Sequence, residues 1–169
     1  MDIIEAARRG QPGALEQLIE SVWGDAFRIA LSVVRDRTLA EDAAQEACAI
    51  LFRSIRTLRS PDAFKVWFFR IVMREALKLE RKAERAAGAV VNFPRADIPG
   101  AEVKVDVRQA LFTLPPRQRA ALVLQYYADL NSREIAEILG IPDSSVRFHI
   151  MRAKRALQDM LTMEFENVI

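Results

Sequence analysis

The chain has 169 residues, of which 51% are hydrophobic and 28% charged, with a formal net charge of +2. That apolar content supports packed cores and excludes a disordered chain, while the length admits one large domain or two small ones, a typical domain holding roughly 100–150 residues. The small net charge does not by itself point to nucleic acid, so any such case has to rest on local clustering.

Apolar stretches such as 66–69 and 120–124 are broken by charges far short of the ~20 residues that cross a bilayer, and no membrane insertion is expected. Residues 1–10 mix acids and arginines and lack the apolar core and cleavage site of a signal peptide. Together with a single cysteine, Cys48, this predicts a cytoplasmic protein. Cys48 and the lone His149 cannot supply a zinc ligand set, and neither has a neighbour that would complete a nucleophile and base. No catalytic residue, metal or cofactor is expected.

From Ala14 to Lys82 apolar residues recur every three or four positions, as in Leu15, Leu18, Ile19 and Val22 and then Phe27, Ala30, Leu31 and Val34. That is the period of amphipathic helices. Thr38 followed by Glu41 reads as a capping box that opens a helix through Ile55. The early turns of that helix, 40–47, are acidic, which the helix dipole favours without any function. Ser60-Pro61 sets a cap before a proline at the first helical position and predicts a long helix over 61–85. Phe64, Trp67, Phe68, Ile71 and Val72 form its apolar face, while Arg70, Arg74, Lys78 and Lys82 make a basic stripe. Two readings of the stripe stay open. It tracks a phosphate backbone, with Arg56, Arg59, Ser60 and Asp62 in a loop able to meet an unstacked base, or it is a solvated face paired with Glu75 and Glu80. Trp67-Phe68-Phe69 reads more readily as core than as a base-stacking platform, and Phe69, off the main apolar face, is the ambiguous member.

Residues 86–102 lose the helical period and contain Gly88, Pro94, Pro99 and Gly100, the composition of an interdomain linker. Helical spacing returns over 103–113, Leu114-Pro115-Pro116 interrupts it, and another helix is predicted over 117–129. Asn131 and Glu134 then form a capping-box pair, Leu130 and Ile135 take the positions of a hydrophobic staple, and Gly140 ends a short helix over 132–139. Ile141-Pro142 makes a turn, Asp143 or Ser144 caps the next helix, and Val146, Ile150, Ala153 and Leu157 give it an inward face. This is a helix-turn-helix.

In such a motif the second helix enters the major groove and its outward residues reach base edges. Arg147, Phe148, Met151 and Arg152 are the outward candidates. Arginine suits bidentate contact with guanine and an apolar ring suits a thymine methyl, a good bidentate pair contributing ~1–3 kcal/mol of discrimination. Lys154 and Arg155 add charge farther along, and Ser132 and Arg133 stand at a helix start able to hold phosphate. The alternative is a set of solvated surface charges, and His149, between Phe148 and Ile150, reads as a partly buried packing residue.

Two signatures in order resemble the extracytoplasmic-function (ECF) group of RNA polymerase sigma factors, over roughly residues 14–161. Ala40-Glu41-Asp42 with Gln45-Glu46, followed by Phe64-Lys65-Val66-Trp67-Phe68-Phe69-Arg70-Ile71, is similar to the family's region 2. Leu114-Pro115-Pro116-Arg117-Gln118-Arg119, Glu134-Ile135-Ala136-Glu137-Ile138-Leu139-Gly140-Ile141 and Val146-Arg147 are similar to region 4. The resemblance implies an all-α protein of two helical domains joined by a flexible linker: 1–85, a linker at 86–102, and 103–169 with the helix-turn-helix. It implies that Asp42, Gln45 and Glu46 dock on core RNA polymerase. Arg56, Arg59, Ser60, Asp62, Lys65, Arg70, Arg74 and Lys78 would capture the non-template strand of the −10 element of promoter DNA. Gln125, Ser132, Arg133, Ser145, Arg147, Phe148, Met151 and Arg152 would bind the −35 element. An anti-sigma factor is a further implied partner. The rivals are a conventional helix-turn-helix regulator whose N-terminal helices dimerise or sense a ligand, and a sigma-like decoy that binds an anti-sigma factor without supporting initiation; an enzyme is a distant third.

Overall fold

The computed structural model describes residues 2–87 and 107–166, and the described residues contain helices and turns but no strand. The chain divides into two compact units, Met1–Phe93 and Pro94–Ile169. Most of the expected linker, and the start of the helix expected over 103–113, lie outside the described residues.

The first unit is built from α1 (Ile3–Arg8), α2 (Ala14–Val34), α3 (Arg37–Ser54) and α4 (Phe64–Ala87), with 3-10 turns at Ile55–Thr57 and Pro61–Ala63. Helices α2, α3 and α4 pack on one another, and α1 lies against α2. The inner stripe of α3 is nearly all alanine: Ala40, Ala43, Ala44 and Ala47 are completely buried. Small side chains there let the three backbones approach closely, while α2 and α4 supply bulk through Leu18, Ile29, Phe68 and Val72. The acids and amides that alternate with those alanines are thereby forced outward.

Two local expectations are corrected. The cap of α3 is Asp36 rather than Thr38: its extended backbone places the carboxylate to accept the Leu39 N–H at 2.8 Å. Asp36 is at least as good a cap as Thr38 and comes first, so the helix starts two residues earlier than read and Glu41 pairs instead with Arg37 at 3.0 Å. The helix expected over 61–85 begins as the turn Pro61–Ala63, without a side-chain cap from Ser60, and becomes α-helical at Phe64.

The second unit holds α5 (Val107–Thr113), α6 (Pro116–Tyr126), α7 (Ser132–Leu139) and α8 (Asp143–Glu166). Arg119 is 1% exposed and fastens the Leu114-Pro115 corner, donating to the carbonyls of Leu114 at 2.9 Å and Phe112 at 3.4 Å. Helix α6 stops at Tyr126, short of the expected Asp129, because Leu130 N–H turns back to the Leu124 carbonyl and Asp129 takes a left-handed backbone, φ 53°.

Helix α7 has the expected bounds. Arg133 and Glu134 N–H donate to Asn131 Oδ1 at 3.0 and 3.1 Å, and Asn131 N–H donates to Glu134 Oε2 at 2.8 Å. Leu130 and Ile135 are both buried, and Gly140 supplies the left-handed stop at φ 65°. Helix α8 differs by one detail: Asp143 is its first residue rather than its cap, and the carboxylate pairs with Arg147 one turn on. Val146, Ile150 and Ala153 are buried as the inward face, with Leu157 half-buried.

Candidate nucleic-acid interface

In the second unit, α8 turns a mixed apolar and cationic face to solvent. Phe148 is 53% and Met151 57% exposed, and Arg147, Arg152, Lys154 and Arg155 are exposed around them. Core packing does not explain two large apolar side chains so placed, although scattered exposed apolars are ordinary. Their company decides. The Arg152 guanidinium lies 5.9 Å from the Phe148 ring centroid, and Lys154 Nζ lies 5.0 Å from that of Tyr126, an exposed ring of α6.

A groove runs beside this face. Of the residues singled out from sequence it gathers Gln125, Ser132, Arg147 and Met151, and it adds Asn131, Lys154 and Arg155. Arg133, Ser145, Phe148 and Arg152 are not in its lining among the described residues; Phe148 and Arg152 stand exposed on α8, Arg133 on α7, and Ser145 is half-buried. Gln125 Oε1 is buried without a hydrogen-bond partner among the described residues. The Ser132 hydroxyl, and after it the Arg147 guanidinium, hold the Asp143 carboxyl below the usual carboxylate range against the opposing effect of desolvation. His149 is half-buried with its ring 6.1 Å from that of Phe148, in keeping with a packing residue.

In the first unit, Arg70, Arg74, Lys78 and Lys82 of α4 are all exposed. Behind them Glu75 is only 6% exposed and accepts from Arg74 Nε at 3.1 Å and Lys78 Nζ at 3.3 Å. The stripe is therefore an exposed cationic face in which a buried acid pins Arg74 and Lys78, the pairing with Glu75 that the second reading expects. Before it, Ile55 and Leu58 bury the ends of a short loop whose Arg56, Arg59 and Asp62 are exposed and whose Ser60 is half-buried. Lys65, on the first turn of α4, is exposed as well.

Phe68 and Phe69 are buried and belong to the core, Phe68 stacked on Phe64 and tilted against Phe69, whereas Trp67 keeps part of its surface. On α3, Asp42, Gln45 and Glu46 are all exposed opposite the alanine stripe, and Glu46 accepts from Arg53 at 3.0 Å. Sequence reading passed over Phe52, 59% exposed at the end of α3. The signal was present, since the buried positions 44, 47, 48, 51 and 55 step past 52. Among the described residues no cluster of ligating side chains could hold a metal, and no helix is long and apolar enough to cross a membrane.

The Sigma-70 region 2 family matches residues 18–86, and the Sigma-70 region 4 family matches residues 104–157. The RNA polymerase sigma factor SigV of Bacillus subtilis (strain 168) is 30% identical over 143 residues, 83% of this chain and 86% of that protein. The chain belongs to the RNA polymerase sigma factors. Its relatives place it in the ECF group: SigM of Mycobacterium tuberculosis (strain ATCC 25618 / H37Rv) is 28% identical over 95% of this chain and 83% of its own length. The same fold occurs in the sigma factor RpoE of Bartonella quintana, solved in complex with the anti-sigma factor NepR. That structure has a TM-score of 0.75 at 21% identity and covers 87% of this chain and 96% of that one. As a sigma factor, this protein binds core RNA polymerase and directs it to promoters for transcription initiation. The matches to both regions set aside the conventional-regulator reading.

Proposed function

We propose that the two units divide promoter recognition between duplex and single-stranded DNA. The observation that carries this is the contrast between their exposed faces: α8 offers arginines beside large apolar side chains, whereas α4 offers cations pinned by Glu75 behind a short arginine loop. The first kind of face reads bases in a major groove, and the second follows a flexible backbone.

In this reading 103–169 is the −35 domain. Arg147, Phe148, Met151 and Arg152 meet base edges, and Gln125, Ser132, Arg133 and Ser145 lie toward phosphates. The groove adds Asn131, Lys154 and Arg155 to that set. Residues 1–85 form the −10 domain, joined through a linker at 86–102. Arg56, Arg59, Ser60, Asp62 and Lys65 take the exposed non-template strand, and Arg70, Arg74 and Lys78 hold its phosphates. Unpairing costs a few kcal/mol per step, so capture of the released strand shifts the equilibrium toward the open complex. Asp42, Gln45 and Glu46 form the polymerase-docking face. The chain itself catalyses nothing, since polymerase performs nucleotidyl transfer, and it works in the cytoplasm.

Anti-sigma partners of fold relatives support the same kind of partner here; besides RpoE with NepR, CnrH was solved with the cytosolic domain of CnrY. The deciding experiment mixes the purified chain with core polymerase and a pool of promoter DNA and reads run-off transcripts against core alone. Transcripts sharing upstream sequences support the reading; core binding without transcripts on matched templates favours the decoy. Arg74→Ala and Arg147→Ala then separate strand capture from −35 binding, and unchanged promoter binding by both would remove the division.

A further inference from the structure

Helix α1 lies ahead of residue 18, where the region 2 match begins, and none of the sites above includes it. It is nonetheless built into the first unit: Ala6 and Ala7 are buried, and α1 packs against the turn Ile55–Thr57. From its last turn Arg8 Nη2 donates to the Arg59 carbonyl at 3.3 Å. The other side of that guanidinium is fixed, Nη1 donating to Glu5 Oε2 at 2.5 Å while Glu5 Oε1 accepts from Arg9 Nε at 2.7 Å. Two residues on, Gly10 adopts φ +72°, and a Cβ there would stand 2.9 Å from Arg56 Nη2. The missing side chain thus leaves the berth in which the Arg56 guanidinium lies.

We propose that α1 is a positioning element for strand capture, with Arg8 fixing the backbone at Arg59 and Gly10 leaving room for the Arg56 side chain. This rests on reading the 56–62 loop as the −10 contact. Stability alone is a poor reason for the arrangement. Arg8 Nε is buried without a hydrogen-bond partner among the described residues, a cost an apolar residue would avoid. A loop backbone fixed at Arg59 before DNA arrives loses less freedom on binding it, and that gain depends on α1 staying docked.

The test uses complete holoenzyme on a promoter defined by run-off transcription and follows permanganate reactivity of the melted strand. Arg8→Met should slow open-complex formation roughly twofold to tenfold, the span of one hydrogen bond's net contribution. Core affinity, −35 duplex binding and the melting temperature of the chain should stay as they are. Arg8→Lys keeps a donor for the Arg59 carbonyl and should recover most of the rate. In a background with Arg56→Ala and Arg59→Ala, Arg8→Met should add nothing further. Gly10→Ala places a Cβ against Arg56 and strains the left-handed backbone that ends α1, and should slow opening too. Wild-type opening by both Arg8→Met and Gly10→Ala while Arg56→Ala is impaired would overturn the proposal and leave the loop reading standing. So would full additivity in the triple variant. Wild-type opening by Arg56→Ala with Arg59→Ala would remove the loop reading and the proposal with it.

Discussion

The outer faces of α4 and α8 both carry cations on helices of equal length, yet they are built on opposite plans. On α4 the cations are backed by an acid, Glu75, that is nearly buried and holds Arg74 and Lys78 from beneath. On α8 the cations share the surface with Phe148 and Met151, and an acid, Asp143, sits at the helix start in front of Arg147. Pure charge on a fixed spacing binds any backbone and is screened by salt; guanidinium and ring surface set side by side discriminate bases. Two cationic helices of one length thus present different surfaces, and what lies between the charges distinguishes them.

The largest expected effect concerns how each face is supported. The first unit rests on a wide apolar core, whereas the smaller second unit depends on a buried guanidinium at its α5–α6 corner. Arg119→Met removes donors from the Leu114 and Phe112 carbonyls and should destabilise the second unit by about 2–3 kcal/mol, carbonyl desolvation being the main cost. Hydrogen exchange resolved by residue is the measurement. Loss of protection in α6–α8 with α2–α4 unchanged sharpens the comparison, and equal loss in both units would break it.

Next in size is base discrimination. Arg147→Ala should reduce preference for the cognate −35 duplex over mismatched duplexes by about 1–3 kcal/mol, with a modest change in salt dependence. Lys78→Gln should do the reverse. It should lower single-strand affinity alike on all sequences and reduce the salt slope by roughly one ion, less if Glu75 already neutralises that lysine in the free protein. Fluorescence anisotropy across a salt series reads both. A sequence-dependent effect of Lys78→Gln would erase the distinction between the faces.

How legible all this was in the sequence followed the range of the interactions. Helix α7 was read to the residue, because its cap, staple and glycine stop lie within a few positions of one another and each has a local geometric cause. The cap of α3 was misplaced by two residues because two good capping side chains, Asp36 and Thr38, stand close together and the earlier one takes the Leu39 N–H. Phe69 could not be assigned from α4 alone; its burial depends on neighbouring helices widening the apolar face. The hold of Arg8 on Arg59, across 51 positions, leaves no periodic trace at all.

The smallest expected effect bears on the acid in front of Arg147. Asp143 has a carboxyl held below its ordinary range by Ser132 and Arg147, so its folded value lies below its unfolded one. Its contribution to stability is therefore present above the unfolded carboxylate value and is lost as pH falls through the lower, folded one. Carboxyl carbon NMR should show Asp143 titrating below an unperturbed aspartate, and Arg147→Ala should move it upward by part of the difference, Ser132→Ala by more. Because Asp143 and phosphate both attract Arg147, lowering the pH through that titration should also free the guanidinium for DNA. In Asp143→Asn, −35 affinity should then lose its acid-side dependence while cognate preference falls, since Arg147 would be free to bind but no longer aimed. If preference is unchanged in Asp143→Asn, the acid at the start of α8 is a helix-dipole residue and the arginine finds its base unaided.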